Sequence, residues 1–294
     1  MAFWKRLLHW LDTSDSVFAR WLRAAREALL GEMPVLAAGT AMFAIIATVP
    51  ALAAVVAIYG IAVDPNEIGR HLKGLETVMP AQVIEFITSQ LQRMARSNHG
   101  VLGFQIAGSL VGAMISARSS ARSLIVTLNR AYRVRELRSA LRQFGMTILM
   151  GVFTLIGLVV MFAILVALPT LVAAAGLKGY GLVRIFRWPL LLALVLGTLA
   201  GMYRFAPSPR PLGTVRHVWP GAGLATVLLV LVSWGLSAWV DNVASYDSVY
   251  GTFGSLIVIM LWFYLSTIAL IIGGFINGEL ERSSGAPAPD RSMY

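Results

Sequence analysis

Six stretches of this chain carry so few charged residues over so many positions that water cannot be their solvent: Met33 to Val63, Gly100 to Ala117, Gln143 to Leu177, Trp188 to Tyr203, His217 to Val240 and Ser248 to Gly278. A hydrocarbon layer about 30 Å thick is crossed by about 20 apolar residues in helical form, because only a helix or a closed barrel satisfies its own backbone in lipid. Of the 294 residues, 57% are hydrophobic and 13% charged, outside the range of a soluble domain of this length. The pattern predicts an all-α polytopic membrane protein with six transmembrane helices. The predicted domains are a cytoplasmic amphipathic segment over 1–32, a six-span domain over 33–280 and a disordered cytoplasmic tail over 281–294.

Basic residues set the orientation, since Lys- and Arg-rich loops stay in the cytoplasm. With the N-terminus inside, the inner segments hold 17 of the 24 Lys and Arg and the outer ones 7. This predicts both ends in the cytoplasm of a multi-pass membrane protein. The net charge of +10 then points to anionic headgroups, with no nucleic acid as partner. Zero cysteines remove thiolate chemistry and disulfides.

Around the spans, the first thirty residues interleave Trp4, Trp10, Phe18 and Trp21 with Arg6, Arg20, Arg23 and Arg26, the pattern of a helix lying on the inner surface or, equally, packed on the protein's own cytoplasmic face. Ser14 or Asp15 is expected to cap it, and Gly31 with Pro34 to end it. Val83, Ile84, Ile87, Leu91 and Met94 share one helical face, which predicts a second amphipathic helix on the outer side. Pro169 is expected to divide the third run near Leu168. Pro50 frees the carbonyl of Ile46, which Thr48 or a neighbouring helix is expected to satisfy. Gly108/Gly112, Gly197/Gly201 and Gly274/Gly278 are candidate close approaches between helices.

The turn from Asp241 to Asp247 makes the last two spans an antiparallel pair. Asn242, Tyr246, Tyr250, Gly251, Gly254 and Asn277 are the candidate cavity or interface residues. Tyr246 and Tyr250 fit headgroup level, and the glycines let the last span approach another backbone. At the cytoplasmic end, Glu279 opposes the negative end of its helix dipole and should seek a cation; Arg118 or Arg122 is the expected inter-helix partner, with plain solvation at the interface as the equal alternative.

The segment "VDNVASYDSVYGTFGSLIVIMLWFYLSTIALIIGGFINGELER", with "LNRAYRVRE" and "MFAIIATVP", resembles the YihY/virulence factor BrkB family of six-helix bacterial inner-membrane proteins. The resemblance runs from about Ala24 to Arg282 and is most specific in the last two spans. Residues matching the family's motifs are Asn129, Tyr132, Asn242, Tyr246, Tyr250, Gly251, Trp262, Tyr264, Gly273, Asn277 and Glu279. Departures are Phe43 and Ala47, where a tyrosine and a serine are expected, Ile115 for a tryptophan, and Phe275 for a frequent glutamate.

The family has carried a ribonuclease label, formerly ribonuclease BN. Phosphodiester hydrolysis uses clustered carboxylates or histidines around metal ions, or a placed acid and base. His9, His71, His99 and His217 are scattered, and no HExxH or phosphate-cradling loop occurs. No catalytic, cofactor-binding or metal residue is therefore assigned, and the chain is read as a non-enzyme. The expected activity is transport or handling of lipid or another amphipathic substrate, with membrane lipids as partners. A scaffold for envelope protein partners is the alternative, and a membrane-bound ribonuclease the remote third.

Overall fold

The computed structural model describes residues 16–30, 33–59, 81–82, 84–85, 88–89, 102–162, 164, 180–209, 218–242 and 252–283. Among these there is no strand. Seven helices follow one another: α1 (Val17–Leu30), α2 (Met33–Tyr59), α3 (Leu102–Ala131), α4 (Ala140–Phe162), α5 (Tyr180–Phe205), α6 (Val218–Asn242) and α7 (Thr252–Ser283). Three of the described helices are apolar enough over sufficient length to cross a membrane: Phe186–Phe205, Val218–Val240 and Leu256–Ser283.

The long helices alternate in direction. Thr40 of α2 meets Ser123 of α3, Phe153 of α4 lies against Gly201 of α5, and Trp262 of α7 reaches back to Ser233 of α6. Alternation brings the start of α2 and the end of α7 together, where Met33, Ala37, Ala131, Tyr132, Ile271, Phe275 and Ile276 form one buried cluster. A second cluster joins α3, α4, α5 and α6 through Leu128, Met150, Leu199, Tyr203 and Ala222. Helix α7 touches α1, α2, α3 and α6, so it is the axis of the bundle.

The outside of the bundle is apolar. Leu149 and Ile156 on α4 and Trp234 on α6 are 58%, 57% and 65% exposed, and each stands among other large exposed apolar side chains. Patches of that extent mark a membrane or protein contact rather than a water-facing wall.

Several boundaries differ from the sequence expectation. At the start of α1, Ser16 Oγ accepts from Ala19 N at 3.2 Å as an N-cap; Ser14, Asp15 and Gly31 lie outside the described residues. Pro34 is the second residue of α2 instead of a stop for α1, a position where its missing N–H costs nothing. Helix α1 packs on α7 and α2, with Ala19 fully buried and Trp21 against the core, so one face is covered by the protein itself. Helix α3 continues past Arg118 for 13 more residues, and α5 begins at Tyr180 rather than Trp188, since arginines inside a helix do not end it when their long stems reach outward. Helix α2 runs through Pro50, and Thr48 donates to Ala44 O at 2.8 Å rather than serving Ile46. The short-range bond wins because a helical Thr hydroxyl is built beside the carbonyl four residues back. Helix α7 extends to Ser283, three residues into the expected tail. Residues 81–82, 84–85 and 88–89 are helical, with Ile84 buried. Val83, Ile87, Leu91, Met94, Leu168 and Pro169 lie outside the described residues.

Candidate functional site

Polar side chains gather at the end of the bundle where α3, α5 and α7 finish and α6 begins. Helix α6 opens on Val218-Trp219-Pro220-Gly221, and the first N–H groups of a helix have no intrahelical acceptor. Asn277, fully buried in α7, supplies one: its Oδ1 accepts from Gly221 N at 2.7 Å, while its Nδ2 donates to Val218 O at 3.0 Å. A residue 56 positions away thus does the work of an N-cap.

Close approach makes this possible. A Cβ on Gly221 would stand 2.1 Å from Gly273 O, and one on Gly273 would stand 2.5 Å from both Gly221 O and the Tyr203 hydroxyl. Those contacts are with backbone and a ring held inside the core, so neither position has room for a side chain. Tyr203, also fully buried, donates to Leu270 O at 2.6 Å. Gly274 and Gly278 bring α7 equally near α3: their Cβ atoms would lie 2.8 Å from Leu128 Cδ2 and 2.6 Å from Ala131 O. A Cβ on Gly201 would meet the Phe153 ring at 3.0 Å, whereas one on Gly197 would meet nothing within 4 Å. The side-chain surroundings of Gly108 and Gly112 lie outside the described residues.

The turn after α3 forms the other half of this end. Val134 N donates to Asn129 O and Arg133 N to Arg130 O, each at 2.9 Å, and Arg133 has φ 53°. This is a Schellman closure with arginine in the left-handed position that glycine normally takes. The turn delivers Glu136 and Arg138 to the end of α5. Glu136 accepts from Asn129 Nδ2 at 2.9 Å, Ser208 Oγ at 2.8 Å and Arg138 N at 3.1 Å, and Asn129 Oδ1 accepts from Ser208 N at 2.7 Å. Arg138 spreads its guanidinium over three terminal carbonyls, Ala206 O at 3.0 Å, Phe205 O at 3.2 Å and Pro207 O at 2.6 Å. A cation on the last carbonyls of a helix satisfies them and meets the dipole's negative end. Burial pushes the Glu136 carboxyl up, but hydrogen bonds from Ser208, Arg138 N and Asn129, with the Arg138 charge, hold it below its ordinary value.

The predicted ion pair across helices is corrected here. Glu279 takes its cation from its own helix, Arg282, three residues on. Helices α3 and α7 run in the same direction with Ala131 beside Gly278, so Arg122 lies nine residues, about 14 Å, short of the level Glu279 occupies. Arg118 instead sets its guanidinium over the Phe144 ring of α4, 4.2 Å from the centroid. Of the expected cavity residues, Gly254 is buried and Asn242 is the last residue of α6; the side chain of Asn242, and Tyr246, Tyr250 and Gly251, lie outside the described residues. Asn277 belongs to the other end of α7, 23 residues or about 35 Å from Gly254.

These junction residues make a structure that holds helices together. The model of the virulence factor BrkB family matches residues 24–293. The chain belongs to that family. Among relatives of this chain, the ribonuclease-like protein YfkH of Bacillus subtilis is 30% identical over 231 residues, covering 75% of this chain and 80% of YfkH. A UPF0761 membrane protein of Delftia acidovorans is 27% identical over 213 residues, 70% of this chain and 48% of that protein. The UPF0761 membrane protein Smlt0865 of Stenotrophomonas maltophilia is 37% identical over 94 residues, 31% of this chain and 21% of that one. This chain thus spans about half or less of those two UPF0761 proteins. No solved structure matches it. This BrkB-family chain is a membrane protein, and Asn129, Tyr132, Gly273 and Asn277, four of the eleven residues that carry the sequence resemblance, are buried at one end of the bundle.

Sequence reasoning missed Glu136, Arg138, Ser208, Tyr203 and Gly221. The run "LNRAYRVRELR" reads as a solvated basic loop, and only Asn129 and Tyr132 within it carried a family signal.

Proposed function

We propose that this BrkB-family chain crosses the bacterial inner membrane six times with both ends in the cytoplasm, and that it transports or handles lipid or another amphipathic molecule without catalysing a reaction. The observation that carries this reading is the distribution of acidic residues. Between their end turns the six long helices hold no Asp or Glu; Asp241, Glu279 and Glu281 sit in the last turns of α6 and α7. Cation and proton pathways place carboxylates at mid-membrane depth, whereas an amphiphile with a long apolar part needs apolar walls and few fixed charges.

A ribonuclease reading takes its support from the name of YfkH. Among the described residues no three His, Asp or Glu side chains gather to hold a metal ion. The carboxylate of Glu136 is occupied by three donors and an arginine, which suits a structural role better than proton transfer. The outer mouth of the route is assigned to Asn242, Tyr246, Tyr250, Gly251 and Gly254.

Reconstitution decides the matter. Vesicles containing the purified chain and a fluorescent phospholipid, treated with a quencher that reaches only the outer leaflet, should lose more signal with time than protein-free vesicles. Equal loss, together with purified protein carrying no lipid, would overturn lipid handling and leave the scaffold.

A further inference from the structure

Arg118 and Arg122 stand one turn apart on α3, far from either helix end. Leu128 and Ala131 of α3 lie beside Gly274 and Gly278 of α7, which fixes the register. Arg118 precedes Ala131 by 13 residues and is therefore about 20 Å from the end of α3. A second ruler agrees: Ser123, next to Arg122, has its hydroxyl 2.7 Å from that of Thr40, seven residues or about 10 Å into α2. Helix α3 is 30 residues, about 45 Å, and so longer than a hydrocarbon layer of about 30 Å; both arginines stand about two to four turns before its end, within reach of the headgroup level there.

Both face outward. Ile115, one turn earlier, is 62% exposed, Arg122 is exposed and Arg118 is half-buried. The Phe144 ring fixes the Arg118 guanidinium plane from one side, and Arg118 Nε is buried with no hydrogen-bond partner. A ring face attracts a cation but leaves the in-plane N–H groups of arginine unspent. Among the described residues no carboxylate is within ion-pair distance of either arginine. Positive charge beside hydrocarbon is costly unless something neutralises it.

We propose that Arg118 and Arg122 bind the phosphate of an anionic membrane lipid, with Phe144 holding Arg118 in orientation and the acyl chains lying along Ile115, Leu141 and Phe144. The proposal rests on the lipid reading and names the lipid class. Guanidinium groups offer paired N–H donors matched to phosphate oxygens, and the exposed apolar side chains next to them suit the tails. A long stem reaching towards the end where α4 begins also explains how Arg118 on α3 meets a residue in the second turn of α4.

The test is native mass spectrometry of the full chain released from nanodiscs containing phosphatidylglycerol and phosphatidylcholine with the same acyl chains. Wild-type protein should retain the anionic lipid over the zwitterionic one by on the order of tenfold, the scale of a charge-assisted contact between a guanidinium and a phosphate. The double variant R118Q/R122Q should lose that preference, R118K/R122K should keep part of it, and R135Q, an exposed charge in the turn after α3, should leave it unchanged. A double variant with the wild-type melting temperature and an undiminished preference would overturn the site, as would a wild-type protein with no preference. Leaflet exchange measured on the same preparations separates the two ideas: exchange that survives alongside an unaltered lipid preference removes the site and leaves the lipid reading intact.

Discussion

The side chain of Asn277 and the backbone of Gly221 close the first turn of α6 from within α7, at 2.7 Å and with no access to water. The bond works in both directions along the bundle, because the same amide also holds Val218 O. It aligns the start of one long helix with the last third of its antiparallel neighbour.

Asn277→Leu, close in volume but without donor or acceptor, leaves the Gly221 N–H without a partner in a dry site. An orphaned buried group costs about 1–3 kcal/mol, so a lower thermal midpoint in detergent is expected, with Asn277→Gln recovering little because the longer amide has no room. An unchanged midpoint for the leucine variant would mean the clasp adds nothing.

Gly221→Ala and Gly197→Ala should part in opposite directions. The first places a methyl 2.1 Å from a backbone carbonyl and should abolish accumulation of folded protein; the second faces nothing within 4 Å and should stabilise by up to about 1 kcal/mol through helix propensity alone. Fluorescence-detected size exclusion of both variants reads this directly.

Stability should fall in acid through Glu136. Its folded carboxyl is held below the ordinary value of 4.5, so the carboxylate's contribution is complete above that value and is lost as pH falls through the lower, folded one. Melting curves from pH 7 down through the carboxylate range should show this loss, and Glu136→Gln should be less stable at neutral pH with a shallower acid slope. Parallel slopes for the two proteins would assign the acid loss to other groups.

Arg138→Lys keeps the charge but cannot fork across three carbonyls. A loss of about 1.5–3 kcal/mol is expected, the range for hydrogen bonds to a charged group, measured by denaturant or thermal unfolding in detergent. Recovery of wild-type stability by lysine would show that charge alone holds the end of α5.

Glu279→Gln, by contrast, should shift stability by no more than about 0.5 kcal/mol, because its partner Arg282 is on the same helix and both are partly exposed to solvent. A loss several times larger in the same unfolding measurement would reveal a partner on another helix.

The amino-acid sequence by itself determined the helical class, because lipid leaves an apolar run no other way to satisfy its backbone, and it marked Gly274, Gly278 and Asn277 as positions where helices meet. It also placed Glu279 near the end of the last long helix. What it left open was decided by register. Whether Arg118 meets Glu279 or Phe144 depends on how far α3 slides along α7, and that offset is set by Leu128 and Ala131 settling against two glycines, contacts that no local pattern encodes. The same is true of Glu136, Arg138 and Ser208: in the chain they are an ordinary charged turn and a serine 72 residues away, and only the packing of α3, α4 and α5 brings their donors and acceptors within bonding distance. Periodicity and solvent preference are local properties and can be read along a chain. Hydrogen bonds between distant segments exist only once the helices have chosen their neighbours.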